Sequence, residues 1–290
     1  MRFGIVILPD QRWSEASRRW RLAEEYGFDH AWTYDHLGWR DLVEGPWFDA
    51  VTTLTAAATV TSRIRLGTYV ASPNFRHPVH FARESVGLDD ISGGRLILGL
   101  GAGGIGFDSA VLGRPELTPG QRVDRFAEFL ELFDTVLQSR STTWSGNYYA
   151  AVDARSTPGP VQQPRPPFVI AANGPRALRL AAKYANGWVT TGPQGEESAE
   201  VWWRTVAELR DRFEKTLADT GRAPESVDRY LNLDSAPVFS LSSVAAFQDA
   251  AGLAAELGFT DVITHWPRES SWYAGDEKVL EAVAAELPRF

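Results

Sequence analysis

Ala23-Glu24-Glu25-Tyr26-Gly27-Phe28-Asp29-His30-Ala31-Trp32-Thr33-Tyr34-Asp35-His36 is the stretch on which the fold turns. Its first half closes a helical pattern in which Trp13, Ala16, Trp20 and Ala23 recur at spacings of three and four. Gly27 supplies the left-handed residue that ends such a helix, Phe28 opens the next segment, and His30–Tyr34 predicts a strand. The arrangement returns as Glu256-Leu257-Gly258-Phe259-Thr260-Asp261 and, more weakly, as Ala185-Asn186-Gly187-Trp188, with glycine again expected in the left-handed conformation. A helix that passes through glycine into a strand is half of a βα unit.

Working outward, strands are predicted at Phe3–Leu8, His30–Tyr34, Ile64–Val70, Leu96–Leu100, Phe168–Ala172, Trp188–Thr191, Leu231–Phe239 and Asp261–His265. Helices are predicted near 14–26, 49–61, 79–91, 119–138, 175–185, 197–219, 243–257 and 276–287. The fourth is the best marked. Thr118-Pro119-Gly120-Gln121 forms a capping box, and Val123, Phe126, Leu130, Phe133 and Leu137 then make one apolar stripe. Strict alternation implies a parallel sheet, and an eight-fold count favours a closed (β/α)8 barrel over an open doubly wound sheet. At about 36 residues per unit, the 290 residues are read as one domain, 1–290. Two excursions stand outside the count: Ile105–Leu117, and an insertion at about 140–167 with the hairpin-like Thr142–Tyr149 and a proline-rich return.

Composition narrows the partners. Acidic residues outnumber basic ones 37 to 29, which argues against nucleic acid and anionic membranes. Cysteine is absent, which excludes disulfides, thiolate metal sites and a cysteine nucleophile. Met1–Pro9 has too short an apolar run for a signal peptide or membrane span, so a cytoplasmic protein is expected.

In such a barrel chemistry sits where the strands end at their C-terminal side. Asp35-His36 follows the second strand, either as a polar turn or with His36 at the mouth handling protons and Asp35 fixing its tautomer or binding a hydroxyl. Gly101-Ala102-Gly103-Gly104 follows the fourth. Its G-x-G-x-x-G spelling lacks the helix start of a dinucleotide site, so the glycines either let backbone pass close under a flat ligand or form a plain connection. Asn173-Gly174-Pro175-Arg176 opens a helix and offers N–H groups, dipole and a guanidinium to a phosphate, or is ordinary turn chemistry. His77-Pro78-Val79-His80 has no carboxylate at ligand spacing, so no metal site is expected. Trp39, Trp47, Trp266 and Trp272 fall near the mouth, where aromatics suit a flat or apolar ligand or equally a lid, and Trp39, Trp47, His265 and Trp266 are the candidates for contact with a small-molecule substrate. Trp20 and Trp32 are expected to pack.

Several of these stretches together resemble the luciferase-like monooxygenase family, the barrel-shaped flavin- and deazaflavin-dependent oxidoreductases. They are residues 23–32, Asp35-His36, Thr61-Ser62-Arg63-Ile64-Arg65-Leu66-Gly67-Thr68, Pro73-Asn74-Phe75-Arg76-His77-Pro78, Asp89–Arg95, Leu98–Gly103 and Ala181–Trp188. Asp-His after the second strand looks like the branch that uses coenzyme F420, an 8-hydroxy-5-deazaflavin. The resemblance implies His36 beside the reactive ring and a non-prolyl cis peptide around Tyr69-Val70-Ala71-Ser72 supporting it. Gly101, Ala102 and Gly103 with Asn173, Gly174, Pro175 and Arg176 would hold the cofactor, the latter group its phosphate. It also implies a homodimer. One departure is that Gly104-Ile105-Gly106-Phe107-Asp108 stands where sugar-phosphate-oxidising relatives carry a catalytic acid, and Gly104 supplies none, which disfavours glucose 6-phosphate oxidation. The leading expectation is an F420-dependent oxidoreductase moving hydride to or from a small organic substrate. The alternatives are an FMN-dependent monooxygenase fed by a partner flavin reductase, and a non-catalytic barrel that binds a ligand.

Overall fold

Gly27 and Gly258 each follow a helix with positive φ, 85° and 78°, and the chain re-enters the sheet within three residues. The computed structural model describes residues 1–104, 107–195 and 198–287. In chain order these form β1 (Arg2–Val6), α1 (Trp13–Glu25), β2 (His30–Thr33), α2 (Ala50–Val60), β3 (Arg65–Thr68), α3 (Pro78–Ile91), β4 (Leu96–Gly101), α4 (Phe107–Val111) and α5 (Pro119–Gln138). There follow β5 (Ser141–Ser145), β6 (Ala150–Arg155), β7 (Phe168–Ala171), α6 (Pro175–Tyr184), β8 (Gly187–Thr190), α7 (Ala199–Asp219), β9 (Asp228–Asn232), α8 (Val244–Glu256), β10 (Asp261–His265) and α9 (Glu277–Ala284). Eight strands close into a barrel in the order β1-β10-β9-β8-β7-β4-β3-β2, the (β/α)8 architecture expected. β5 and β6 pair antiparallel as the predicted hairpin. No described helix is long and apolar enough to cross a membrane.

The capping box forms as predicted, with Gln121 N–H on Thr118 Oγ1 and Thr118 N–H on Gln121 Oε1. The apolar stripe of α5 is broader than predicted, because Phe129 and Leu132 are also fully buried.

Three expectations are corrected. The strand expected at Leu231–Phe239 runs instead from Asp228 to Asn232, because Asn232 Oδ1 accepts the Asp234 N–H and turns the chain. Gly187 is not left-handed; it opens β8, where an added Cβ would lie 2.5 Å from the Tyr230 ring. Trp13, at the first turn of α1, is exposed rather than part of the buried stripe. The first excursion carries the short helix α4, while Ile105 and Gly106 within it, like Glu197 at the expected start of α7, lie outside the described residues.

The chain divides into two compact units, residues 1–8, 19–32 and 169–290, and residues 9–18 and 33–168. In the first, Arg2 and His30 share the buried Asp261. Arg2 donates to it twice, at 2.8 and 2.7 Å, and His30 Nε2 lies 3.0 Å away. The Trp32 indole donates to His30 Nδ1 at 2.6 Å, so Nε2 carries the proton. Burial would raise the Asp261 carboxyl, but the hydrogen bonds from His30 and Arg2 hold it below the usual range. In the second unit Phe133 stacks on Phe81 and Phe168 at 5.2 and 5.4 Å. There the Glu128 carboxylate accepts the backbone N–H groups of Asn147, Tyr148 and Tyr149 and pins the hairpin turn to α5.

Candidate active site

Beyond β2 the chain places Asp35 and His36 in opposite environments. Asp35 is buried, and its two oxygens take Arg76 Nη2 at 2.6 Å and Nε at 3.0 Å. Arg76 also reaches Asp49 at 2.8 Å and Glu84 at 3.2 Å. Burial pushes the Asp35 carboxyl up and Arg76 pulls against it. Burial lowers the guanidinium, but Asp35, Asp49 and Glu84 outweigh that and raise it. The bidentate geometry is that of a charged pair. Both Asp35 oxygens are therefore committed to Arg76.

His36 remains 28% exposed. Its Nδ1 lies 2.8 Å from Asp108 Oδ2, and Asp108 Oδ1 accepts the Leu37 N–H at 2.7 Å. The Trp47 indole donates to the His36 carbonyl at 2.8 Å. Tyr34 meets the His36 ring edge-on and lies between 5.2 and 6.5 Å from the rings of Trp39, Trp47 and Tyr69. Trp39 and Trp47 thus form, with Tyr34, a partly exposed aromatic wall next to the imidazole.

After β3 the Tyr69–Val70 peptide is cis, inside the stretch where the resemblance implied one. Ala71 bridges to Leu100, and Ala71 and Ser72 are buried while Val70 stays partly exposed. After β4, Gly101 pairs with Ala71, Ala102 and Gly103 are half-buried, and Gly103 has φ 79°. A Cβ at Gly103 would sit 2.6 Å from the Asn74 amide, so only glycine brings this loop so close. Asn74 accepts from Arg125 Nη2 at 2.5 Å through its side chain and from Arg114 at 3.1 Å through its carbonyl. Arg125 is 9% exposed, and its buried Nε–H has no partner among the described residues. Burial, with Arg114 and Arg122 nearby, lowers its pKa. Burial, with His80 and Arg114 nearby, likewise lowers His77.

In the other unit, Asn173, Gly174, Pro175 and Arg176 are all exposed at the start of α6. Gly174 is the N-cap and offers no side chain, so no side-chain oxygen caps the first turn. Asn173 accepts from the Thr190 hydroxyl at 2.8 Å and donates to the Gly192 carbonyl at 3.1 Å. His265 and Trp266, candidates for substrate contact, are packed: His265 is 0% exposed, bonded to Asp234 and stacked on Tyr273 at 3.7 Å. Trp266 is 2% exposed and donates to Glu277.

Asp108, Arg76, Asn74 and Arg125 all escaped the sequence reasoning as site residues. Asp108 was visible only as the fifth residue of a divergent loop, 72 positions from the histidine it holds. Gly104 indeed supplies no carboxylate, but Asp108 does, and it is spent on His36.

A family model described as luciferase-like monooxygenase matches residues 1–276. The chain is 34% identical over 263 residues to the F420-dependent glucose-6-phosphate dehydrogenase of Amycolatopsis mediterranei, covering 84% of this chain and 77% of that protein. It is 31% identical over 230 residues to the 5,10-methylenetetrahydromethanopterin reductase of Archaeoglobus fulgidus, covering 79% of this chain but only 62% of that protein's length. The solved coenzyme F420 dependent tetrahydromethanopterin reductase from Methanopyrus kandleri superposes with a TM-score of 0.79 at 21% identity, covering 100% of this chain and 99% of the other, a likeness of fold.

Proposed function

We propose, for an enzyme whose chain belongs to the luciferase-like monooxygenase family, that it is an F420-dependent oxidoreductase acting on a small organic substrate. The observation that carries this is His36: an imidazole bound through one nitrogen to a buried carboxylate, partly exposed, and bordered by the aromatic wall of Tyr34, Trp39 and Trp47.

The donor sets fit a flat, anionic cofactor. Gly103 keeps a tight loop that any Cβ would obstruct, which suits close backbone approach to a planar ring. The α6 N-terminus has a positive dipole end without a side-chain cap, and Asn173, Gly174, Pro175 and Arg176 around it are open. Arg125, buried with an unused N–H beside Arg114 and Arg122, is a second cationic donor suited to phosphate or carboxylate. Gly101, Ala102, Gly103, Val70, Ala71 and Ser72 are the candidates for the ring, and Asn173–Arg176, taken by themselves, the candidates for a phosphate. When bound, F420 supplies a two-electron acceptor or donor of hydride. The residues of this chain orient that group, exclude water from it and move the accompanying proton, the last through His36. Asp35 acts from behind, by keeping Arg76 and the segment before His36 in place.

Fluorescence titration of the purified protein with F420 and with FMN, oxidised and reduced, tests the cofactor. Saturable F420 binding is expected, and Arg176→Ala should weaken it by about 1.5–3 kcal/mol if the guanidinium meets the phosphate. Tight FMN binding with no saturable F420 binding would instead identify a flavin monooxygenase.

A further inference from the structure

We infer that Asp108 is a positioning residue: it holds the His36 ring with the proton on Nδ1 and so leaves Nε2 as the nitrogen that exchanges a proton with substrate. The first half stands on geometry alone; the second rests on the function proposed above.

An ionised carboxylate only accepts hydrogen bonds, so the 2.8 Å contact to His36 requires a hydrogen on Nδ1. The second oxygen of Asp108 is taken by the Leu37 N–H at 2.7 Å, so the carboxylate grips the ring and the backbone that follows it at once. It cannot turn toward a ligand without releasing one of them. Asp108 is 3% exposed while His36 is 28% exposed, so a ligand reaches the histidine and not the acid.

The helix that delivers Asp108 is built the wrong way round for packing. α4 buries Asp108 and Ser109 and leaves Phe107 and Val111 exposed, at 43% and 55%. Ordinary amphipathic logic would put the apolar side chains inward. Burying a carboxylate costs several kcal/mol unless hydrogen bonds replace its water, and here, among the described residues, His36 and Leu37 supply them. Gly38 makes the approach feasible, since a Cβ there would lie 2.7 Å from the Phe107 ring. Local structure has been given up to bring this acid to this histidine.

With Nδ1 occupied, Nε2 is the free acceptor. Bound F420 would supply the acceptor that takes the C–H electron pair and hydrogen as hydride from a substrate with a C–H and an O–H bond. The O–H bond breaks and its proton goes to Nε2. Asp108 then faces the imidazolium charge, and reduction runs the same transfers backward.

The test is the imidazole tautomer, which needs no substrate. The chain has five histidines. In long-range 1H–15N spectra of the full-length labelled protein at pH 8, His36 is identified by the signal lost in His36→Gln. It should show a protonated, pyrrole-type Nδ1 and a pyridine-type Nε2. In Asp108→Asn the amide N–H donates to Nδ1, and the two nitrogens should exchange character. In Asp108→Ala the Nδ1 preference should be lost. A wild-type His36 protonated on Nε2 overturns the assignment, as does a tautomer indifferent to both substitutions in folded protein. If neither variant folds, the wild-type spectrum decides. F420 titration of the same samples separates the two proposals. A tautomer that responds as expected without saturable F420 binding sinks the cofactor and keeps the hold of Asp108 on His36. Saturable F420 binding with an unresponsive tautomer does the reverse.

Discussion

His36 and His265 are held alike and differ in what surrounds them. Each presents Nδ1 to a buried carboxylate, at 2.8 Å to Asp108 and 2.9 Å to Asp234. His36 is 28% exposed; His265 is 0% exposed, with Tyr273 stacked on its ring. Among the described residues, Asp108 binds the histidine and the residue after it. Asp234 also takes the Ser240 N–H and hydroxyl, the Thr264 hydroxyl and the His265 N–H, five hydrogen bonds in all. The same pair of residue types is therefore open to a ligand in one place and sealed in the other, which is why the chemistry is proposed for His36 and not for His265. His30 extends the series: both of its nitrogens are engaged, by Trp32 and Asp261, and none is left for a substrate.

Asp234→Ala should have the largest effect. It strips five donors of their acceptor in a dry site, and losses from buried charged groups run to about 3–5 kcal/mol. Urea unfolding should show that loss, while Asp234→Asn, which keeps an acceptor oxygen, should lose less and retain turnover per folded molecule. A stable Asp234→Asn protein without turnover would break the contrast and bring His265 into the chemistry.

His36→Ala is the converse. Its ring is partly exposed, but removal takes one of two hydrogen-bond donors from the buried Asp108 carboxylate, so a stability loss of about 1–3 kcal/mol, smaller than for Asp234→Ala, is expected with F420 affinity nearly intact. Turnover should slow by about 10²-fold or more, the ordinary contribution of a positioned acid or base. Stopped-flow bleaching of the cofactor beside thermal melts of the same variant measures both. A lowered melting temperature with full activity would make His36 a second His265.

The barrel was legible because hydrophobic periodicity and glycine punctuation are local. Gly27, Gly258 and the Thr118–Gln121 box each announce an element boundary within four residues. β9 was misjudged because Leu231, Leu233, Val238 and Phe239 look like one run, whereas an Asx turn at Asn232 interrupts it. His36 was legible as the residue after a strand. Its partner was not, since nothing local distinguishes Asp108 from any acid at a helix start, and the hydrogen bond spans 72 residues. The sequence-level roles of Asp35 and His265 were assigned by position at a strand end, which says where a residue sits but not which way it turns. Asp35 turns onto Arg76 and His265 onto Asp234.

The smallest expected effect concerns the third pair and depends on pH. Asp261 is held below the usual carboxylate range: burial raises it, but the hydrogen bonds of His30 and Arg2 prevail. A carboxyl depressed in the folded state stabilises the fold above its unfolded pKa, about 3.9, and loses that contribution as pH falls through the folded value. Asp261→Asn keeps an acceptor for His30 but not the charge for Arg2, so at pH 7 it should unfold more easily than wild type by about 1–3 kcal/mol. Urea midpoints at pH 7, 5, 4 and 3.5 should show the gap narrowing only at the acid end, because wild type alone has that charge to lose. A gap that stays constant to pH 3.5 would mean that Asp261 contributes shape rather than charge, which would set it apart from Asp108 more sharply than burial does.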